Sequence, residues 1–139
     1  MGEMSSSVAC LGNPEISVVV PVFNEEKSLP ILIPKLVEVL NLLNTSYEVI
    51  LVDDGSSDRS RKILREMVSQ HPCLRILCFK KNCGLSTALV AGMREARGGR
   101  IVTLDSDLQN DPKDIPRLLE YLDRYDMATG WRQKREDSF

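Results

Sequence analysis

Two aspartates one residue apart, Asp105 and Asp107, open the stretch Asp105–Pro112 (DSDLQNDP). They follow Arg100–Leu104 (RIVTL), a short run rich in β-branched residues and preceded by Gly98-Gly99, the pattern of a buried strand. Carboxylates released at the end of such a strand can both turn into a cleft. There they could hold a hard divalent cation, with the Gln109 carbonyl as a further oxygen ligand. A cation with so few protein ligands keeps open positions, which suit a substrate diphosphate. Taken alone the pair is a weak signal, because acidic residues also end many strands as solvated surface or as helix caps.

A second acidic cluster, Asp53-Asp54-Gly55-Ser56, follows the apolar run Tyr47–Val52. A carboxylate here can accept hydrogen bonds from a base N–H or a ribose hydroxyl, and Gly55 permits a tight turn. An ordinary turn with a helix cap fits this stretch equally well. A third cluster, Phe23–Glu26 (FNEE), follows Ile16–Val22 (ISVVVPV). It is either a solvated loop or a place where a glutamate reaches a nucleotide while Phe23 packs beside the base. Lys80, Lys81 and Asn82 read more simply as a solvated loop than as phosphate ligands. Gly130–Arg135 (GWRQKR) is either an exposed basic tail or a flexible loop whose guanidiniums fork onto phosphate oxygens. The chain contains neither G-x-G-x-x-G nor G-x-x-x-x-G-K-[ST], which argues against a dinucleotide fingerprint and a P-loop.

The elements that must position these clusters follow from hydrophobic patterning. Ile16–Val22 is continuously apolar apart from Ser17, as expected of a strand buried on both faces, and Pro21 ends pairing on its side. A helix is expected from about Ser28, with Pro30 and Pro34 near its start and Leu32, Leu36, Val39, Leu40 and Leu43 as its apolar stripe. Ser57 or Asp58 can cap the next helix, which buries Ile63, Leu64, Met67 and Val68 and ends at His71-Pro72. Leu74–Phe79 is a third strand. Ser86–Arg97 is a helix whose Ala88, Ala91, Gly92 and Ala96 allow close packing on a sheet. Arg100–Leu104 is the fourth strand, Asp111-Pro112 starts a helix burying Ile115, Leu118, Leu119 and Leu122, and Asp126–Gly130 is expected to be a short fifth strand. Strands alternating with helices predict an α/β fold, an open and mostly parallel sheet with helices on both faces and right-handed crossovers. Ligands of such sheets bind beyond the carboxyl ends of the strands, where all three polar clusters fall.

At 139 residues the chain suits one domain, and its 42% hydrophobic and 27% charged content is ordinary for a globular protein. A formal charge of −2, with no basic patch interleaved with aromatics, gives no field for gripping nucleic acid. Cysteines 10, 73, 78 and 83 form no C-x-x-C pair and His71 is the sole histidine, so a structural zinc site is not expected and reduced thiols are. No apolar run approaches the roughly 18–20 residues that span a bilayer. Residues 1–15 read as a disordered leader without signal-peptide character, 16–130 as the folded domain and 131–139 as the start of an arginine-bearing tail. A cytoplasmic location follows, with attachment to the inner face of a membrane left open.

Taken together, Val18–Glu26 (VVVPVFNEE), Val52–Asp58 (VDDGSSD), Asn82–Gly84 (NCG), Ala91-Gly92, Ala96–Gly98 and Asp105–Pro112 resemble family 2 glycosyltransferases of the GT-A fold. The likeness is greatest to the branch of dolichyl- and undecaprenyl-phosphate sugar transferases, and it runs from about Ile16 to the C-terminus. It implies a UDP- or GDP-linked sugar donor held by Pro21, Phe23, Glu25, Asp53 and Asp54, with Val52, Asp105 and Ser106 in the same site. It implies Mg²⁺ or Mn²⁺ at Asp105, Asp107 and Gln109. Asp105, Asp107, Arg132 and Arg135 would stand nearest the transfer step, the arginines on phosphates of donor or lipid acceptor. The Asn-Cys-Gly stretch departs from the more usual Asn-Phe-Gly. The resemblance implies inverting transfer to an acceptor such as a polyprenyl phosphate, which as an anion needs no base; Asp137 is the nearest candidate base for a hydroxyl.

The family's pattern continues beyond the donor half, so the chain is expected to be a fragment or a short protein without acceptor elements, prone to self-association through exposed apolar surface. Two other readings compete. One is a non-catalytic remnant that binds nucleotide-sugars or partner proteins. The other is a receiver-type phosphoacceptor domain, against which stands the complete strand and helix ahead of Asp53.

Overall fold

Four parallel strands carry the core of the computed structural model, which describes residues 12–130. The two central ones are the most apolar stretches of the sequence. β1 (Ile16–Val22) and β2 (Tyr47–Asp53) are buried along their whole length, as strands covered on both faces must be. β3 (Leu74–Cys78) and β4 (Arg100–Thr103) are the edges, shorter and only partly covered. The order is β3-β2-β1-β4, with Val22 opposite Asp53 and Val19 opposite Thr103.

This order dictates where the helices lie. From β1 through β2 to β3 the chain moves one way across the sheet, and then it returns past β1 to β4. Right-handed crossovers place helices of opposite travel on opposite faces. Accordingly α1 (Leu29–Asn41) and α2 (Ser60–Gln70) share one face with α4 (Ile115–Tyr121), packing Leu32, Leu36, Leu64, Ile115 and Leu119 on Val18, Val20, Val49 and Leu51. α3 (Leu85–Glu95) covers the other face, where Ala88 meets Val19, Ile50 and Val52. Gly92 permits that close approach, since a Cβ there would collide with Val19 and stand 3.1 Å from Val52 Cγ2. Open α/β architecture with helices on both faces is therefore present as the sequence predicts.

Local chemistry moves several boundaries. Ser28 precedes α1 without capping it; its hydroxyl instead donates to Glu25 Oε2 at 2.8 Å. α1 runs through Pro34. Asp58 accepts from the Ser60 N–H at 2.8 Å and so serves the start of α2. The helix expected at Asp111-Pro112 begins as a 3-10 turn, Pro112–Asp114, with the Asp111 carboxylate accepting from the Lys113 N–H at 3.0 Å.

The expected fifth strand is not found among the described residues: residues 126–130 pair with none of them, and the described sheet has four strands. A strand needs a partner edge as well as suitable residues, and here Met127 is 78% exposed. Reduced thiols are found at Cys78 and Cys83, but Cys73 is disulfide-bonded. The absence of C-x-x-C spacing bears on metal knuckles and not on crosslinks.

A buried carboxylate that the sequence did not flag fastens the base of the sheet. Glu48 accepts from the Ser17 hydroxyl (2.7 Å), the Arg97 N–H (2.8 Å) and the guanidiniums of Arg75 (2.9 Å) and Arg97 (3.2 Å). Burial pushes its pKa up, but the Arg97 N–H, the Ser17 hydroxyl and the arginine charges outweigh that and hold it below the usual carboxylate value. The turn leading into β4 is thereby tied to the two central strands.

Candidate functional site

The reversal of strand order between β1 and β4 opens a crevice at their carboxyl ends, the place where open α/β sheets bind ligands. A cleft of about 330 Å³ lies there. Its walls come from the end of β1 and the loop after it (Pro21, Phe23, Glu25), the residue after β2 (Asp54), the β3–α3 loop and the start of α3 (Asn82, Gly84, Leu85, Ala88) and the loop after β4 (Asp105–Asp107).

Side chains alternate across a strand, so the adjacent Asp53 and Asp54 part company. Asp53 points with Leu51 toward α2 and is fully buried. Its Oδ2 accepts from Arg61 Nε at 2.6 Å and its Oδ1 from the Ser56 N–H at 3.2 Å. Asp54 points with Val52 toward α3 and reaches the cleft. Its two oxygens accept from the N–H groups of Cys83 (2.7 Å) and Gly84 (3.0 Å), which seats the β3–α3 loop against the end of β2.

The loop after β1 is fastened to the loop after β2 just as closely. Asn24, at φ 51°, accepts through Oδ1 from the N–H groups of Ser57 (2.8 Å) and Asp58 (3.3 Å), and its own N–H donates to Ser56 Oγ (3.0 Å). The Glu25 N–H donates to Ser60 Oγ (2.8 Å) and the Glu26 N–H to Asp58 Oδ2 (3.2 Å). Burial raises the Asp58 pKa, but the hydroxyl and N–H of Ser60 and the Glu26 N–H lower it further, and the net shift is downward. Gly55, at φ 71°, wedges between the loops: a Cβ would collide with Lys81 and stand 2.5 Å from the Asn82 nitrogen.

The loop after β4 is tied more sparingly. The Leu104 N–H donates to Val19 O (3.0 Å), and beyond it Asp105 and Asp107 are exposed with no cation paired to them among the described residues. Ser106 between them is buried. Asp107 Oδ1 accepts from the Gln109 N–H at 3.0 Å, around Leu108 at φ 64°. One ion pair, Lys35 to Asp111 at 3.3 Å, links this loop to α1.

Of the residues expected at the site, the structure brings Pro21, Phe23, Glu25, Asp54, Asp105, Ser106 and Asp107 to one cleft. Val52 is buried under α3, Asp53 lies behind the β2 end, and Gln109 is exposed outside the cleft wall. Arg132, Arg135 and Asp137 lie outside the described residues. Gly84, Leu85 and Ala88 were not assigned to the site from sequence: Gly84 entered as part of the Asn82–Gly84 motif and Ala88 as a packing residue. Their signal was available, since they follow β3 at the same edge of the sheet as the three polar clusters.

Residues 17–139 match the sequence pattern described as glycosyl transferase family 2. The chain belongs to that family. It is 44% identical over 127 residues to the undecaprenyl-phosphate 4-deoxy-4-formamido-L-arabinose transferase of Edwardsiella ictaluri, covering 89% of this chain and 39% of the relative. The enzyme of that name from Pectobacterium carotovorum is 45% identical, covering 88% and 38%. This family 2 domain thus spans about two fifths of the length of those relatives. Among solved structures it resembles the mannosyltransferase PcManGT from Pyrobaculum calidifontis in complex with GDP-Man and Mn²⁺, with a TM-score of 0.63, 24% identity and coverage of 81% of this chain and 33% of that one. It also resembles S. aureus TarS 1-349 in complex with UDP, at a TM-score of 0.62, 21% identity and coverage of 89% and 38%. These likenesses establish the GT-A fold for the family 2 chain.

The donor set of this family 2 domain fits a hard cation shared with a ligand. No group of three or more His, Cys, Asp or Glu side chains among the described residues is arranged as a metal cage. Two exposed carboxylates on one loop facing the cleft are instead a partial oxygen set, of the kind Mg²⁺ and Mn²⁺ complete with water and substrate phosphates.

Proposed function

We propose that this chain is the donor-binding part of a glycosyltransferase that moves a sugar from a nucleoside-diphosphate sugar to a polyprenyl phosphate. The observation that carries this reading is the convergence of Asp54 and the Asp105–Asp107 loop on one cleft at the switch point. In this reading Asp54 faces the nucleoside, with Phe23 and Leu85 as apolar walls, and the pyrophosphate lies toward Asp105 and Asp107. Those two carboxylates would hold Mg²⁺ or Mn²⁺, and the metal when bound supplies positive charge against the leaving nucleoside diphosphate. Arg132 and Arg135 would add guanidinium donors for phosphate oxygens.

The acceptor class comes from the relatives, which are named for undecaprenyl phosphate. A phosphate oxygen of the acceptor attacks the anomeric carbon opposite the leaving group. One C–O bond forms, the bond to the diphosphate breaks, and the configuration inverts. An anionic acceptor has no proton to lose, so no general base is required. With such an acceptor the transfer would take place at a membrane surface, which this reading puts on the cytoplasmic side; no helix among the described residues is long and apolar enough to cross a membrane. Membership in the family removes the receiver-type reading.

Calorimetric titration of UDP, GDP and their sugar conjugates, with and without Mn²⁺, on wild type and Asp107→Ala, tests the proposal. Expected is metal-dependent binding of one nucleotide series, weakened at least about tenfold in the variant. No binding by folded wild type would overturn the donor site and favour a remnant that binds partner proteins.

A further inference from the structure

Asp53 is fully buried and absent from the cleft wall, yet it is hydrogen-bonded at both oxygens. Its partner Arg61 stands on α2, with its side chain 31% exposed. The guanidinium forks: Nε donates to Asp53 Oδ2 and Nη2 donates to the Phe79 carbonyl oxygen, both at 2.6 Å. The Phe79 N–H in turn donates to the Asp53 carbonyl oxygen at 2.8 Å. One arginine therefore joins the end of β2 to the residue that begins the β3–α3 loop. That loop carries Asn82 and Gly84 into the cleft and gives its Cys83 and Gly84 N–H groups to Asp54.

We propose that Asp53 and Arg61 form a positioning pair that holds the β3–α3 loop against β2, so that Asp54, Asn82 and Gly84 meet the nucleoside in one fixed arrangement. The proposal rests on the nucleotide-binding reading above. Asp53 acts through Arg61 and touches no ligand. Three features carry this assignment. The carboxylate faces away from the cleft, both its oxygens are engaged, and the guanidinium spans the two strand ends whose loops build the nucleoside wall. A lysine could replace the charge but could not fork to both acceptors.

The test is a double-mutant cycle on the full chain with Asp53→Asn, Arg61→Ala and their combination, reading nucleotide affinity by calorimetry well below the unfolding transition. Each single change is expected to weaken binding about tenfold, and the double change no more than about twofold further, because the two residues act as a unit. The factor by which Mn²⁺ improves binding is expected to stay unchanged, since Asp105 and Asp107 lie across the cleft. Amide exchange at Cys83 and Gly84 should speed up by about tenfold while that of Val19 and Ile50 does not. Loss of overall stability alone would not produce that localised, metal-independent pattern. Arg61→Lys, which keeps one contact, should fall between wild type and Arg61→Ala, and it carries the test if the alanine variant does not fold.

Multiplicative losses in the double variant would show that Asp53 and Arg61 act independently and would overturn the proposal. Affinity or loop exchange unchanged in the single variants would overturn it too. If wild type binds no nucleotide, the donor reading falls and the proposal with it. If wild type binds and Asp54→Ala abolishes binding while the cycle is multiplicative, the positioning pair alone falls.

Discussion

The two banks of the cleft are built on different principles. On the nucleoside side, the loops after β1, β2 and β3 are laced by side-chain acceptors to backbone N–H groups: Asn24 to Ser57 and Asp58, Asp54 to Cys83 and Gly84, Asp58 to Glu26 and Ser60. Across the cleft, the ties described for the loop carrying Asp105 and Asp107 include a turn bond at Gln109, a cap at Lys113 and a surface ion pair to Lys35. The first bank is finished before a ligand arrives. The second presents two carboxylates close in sequence that no cation among the described residues pairs, and a bound cation would relieve their mutual repulsion. Preorganisation on one bank and an incomplete coordination set on the other suit a ligand whose base is selected by shape and whose phosphates bring their own counter-ion.

The largest effect is expected where the interlocked bank is tightest. Gly55→Ala places a Cβ into the Lys81–Asn82 backbone at a positive φ, so the loops must separate or the strain must be absorbed. A destabilisation of about 3 kcal/mol or more is expected in urea unfolding, with loss of nucleotide binding. A loss under about 1 kcal/mol would mean that the loops part cheaply, and the contrast between the banks would collapse.

A smaller change on the same bank separates hydrogen bonding from backbone conformation. Asn24 sits at φ 51°, which asparagine and glycine tolerate and alanine does not. Asn24→Ala loses the bonds to Ser57 and Asp58 as well as that tolerance, and about 2 kcal/mol is expected. Asn24→Gly keeps the conformation, so its smaller loss in the same urea titration isolates the side-chain acceptor.

How far the sequence could see into this arrangement depends on what each feature obeys. Ile16–Val22 and Tyr47–Val52 announced themselves because a strand covered on both faces must be apolar at nearly every position, Ser17 and Glu48 being the exceptions. The three polar clusters were legible as one site because a parallel sheet sends all its strand ends to one edge. Whether Asp53 or Asp54 would face the cleft was not legible. Neighbours in a strand point to opposite faces, and the choice depends on which face receives α3, a consequence of strand order. Arg61 was invisible for the same reason, because its partner lies on another element and across a turn. Residues 126–130 misled because composition suggests a strand while pairing decides it.

Acidity offers a separate reading of a carboxylate that the fold uses. The Asp58 pKa is held below its ordinary value in the folded chain, so the unfolded chain takes up its proton first as pH falls. Its contribution is complete above the ordinary carboxylate range near pH 4 and is lost as pH drops through the lower folded value. Asp58→Asn should therefore cost about 1 kcal/mol at pH 7 and progressively less toward pH 3. A penalty that stayed constant across that interval would show the carboxylate charge to be irrelevant to the lacing.

The smallest effect is expected on the open bank, and its smallness is the point. Lys35 and Asp111 are 3.3 Å apart, but their side chains are 40% and 46% exposed, so water and salt screen most of their attraction. The Asp111 carboxylate is held below its ordinary pKa first by the Lys113 N–H and only then by Lys35, so its cap persists without the lysine. Lys35→Met should destabilise by at most about 0.5 kcal/mol at low salt and by nothing measurable in 1 M NaCl. A loss above about 2 kcal/mol would mean that this pair clamps the Asp105–Asp111 loop as firmly as Asn24 and Asp54 clamp theirs. Both banks would then be preformed, and the phosphate side would have to be treated as a rigid receptor and not as a loop that its ligand completes.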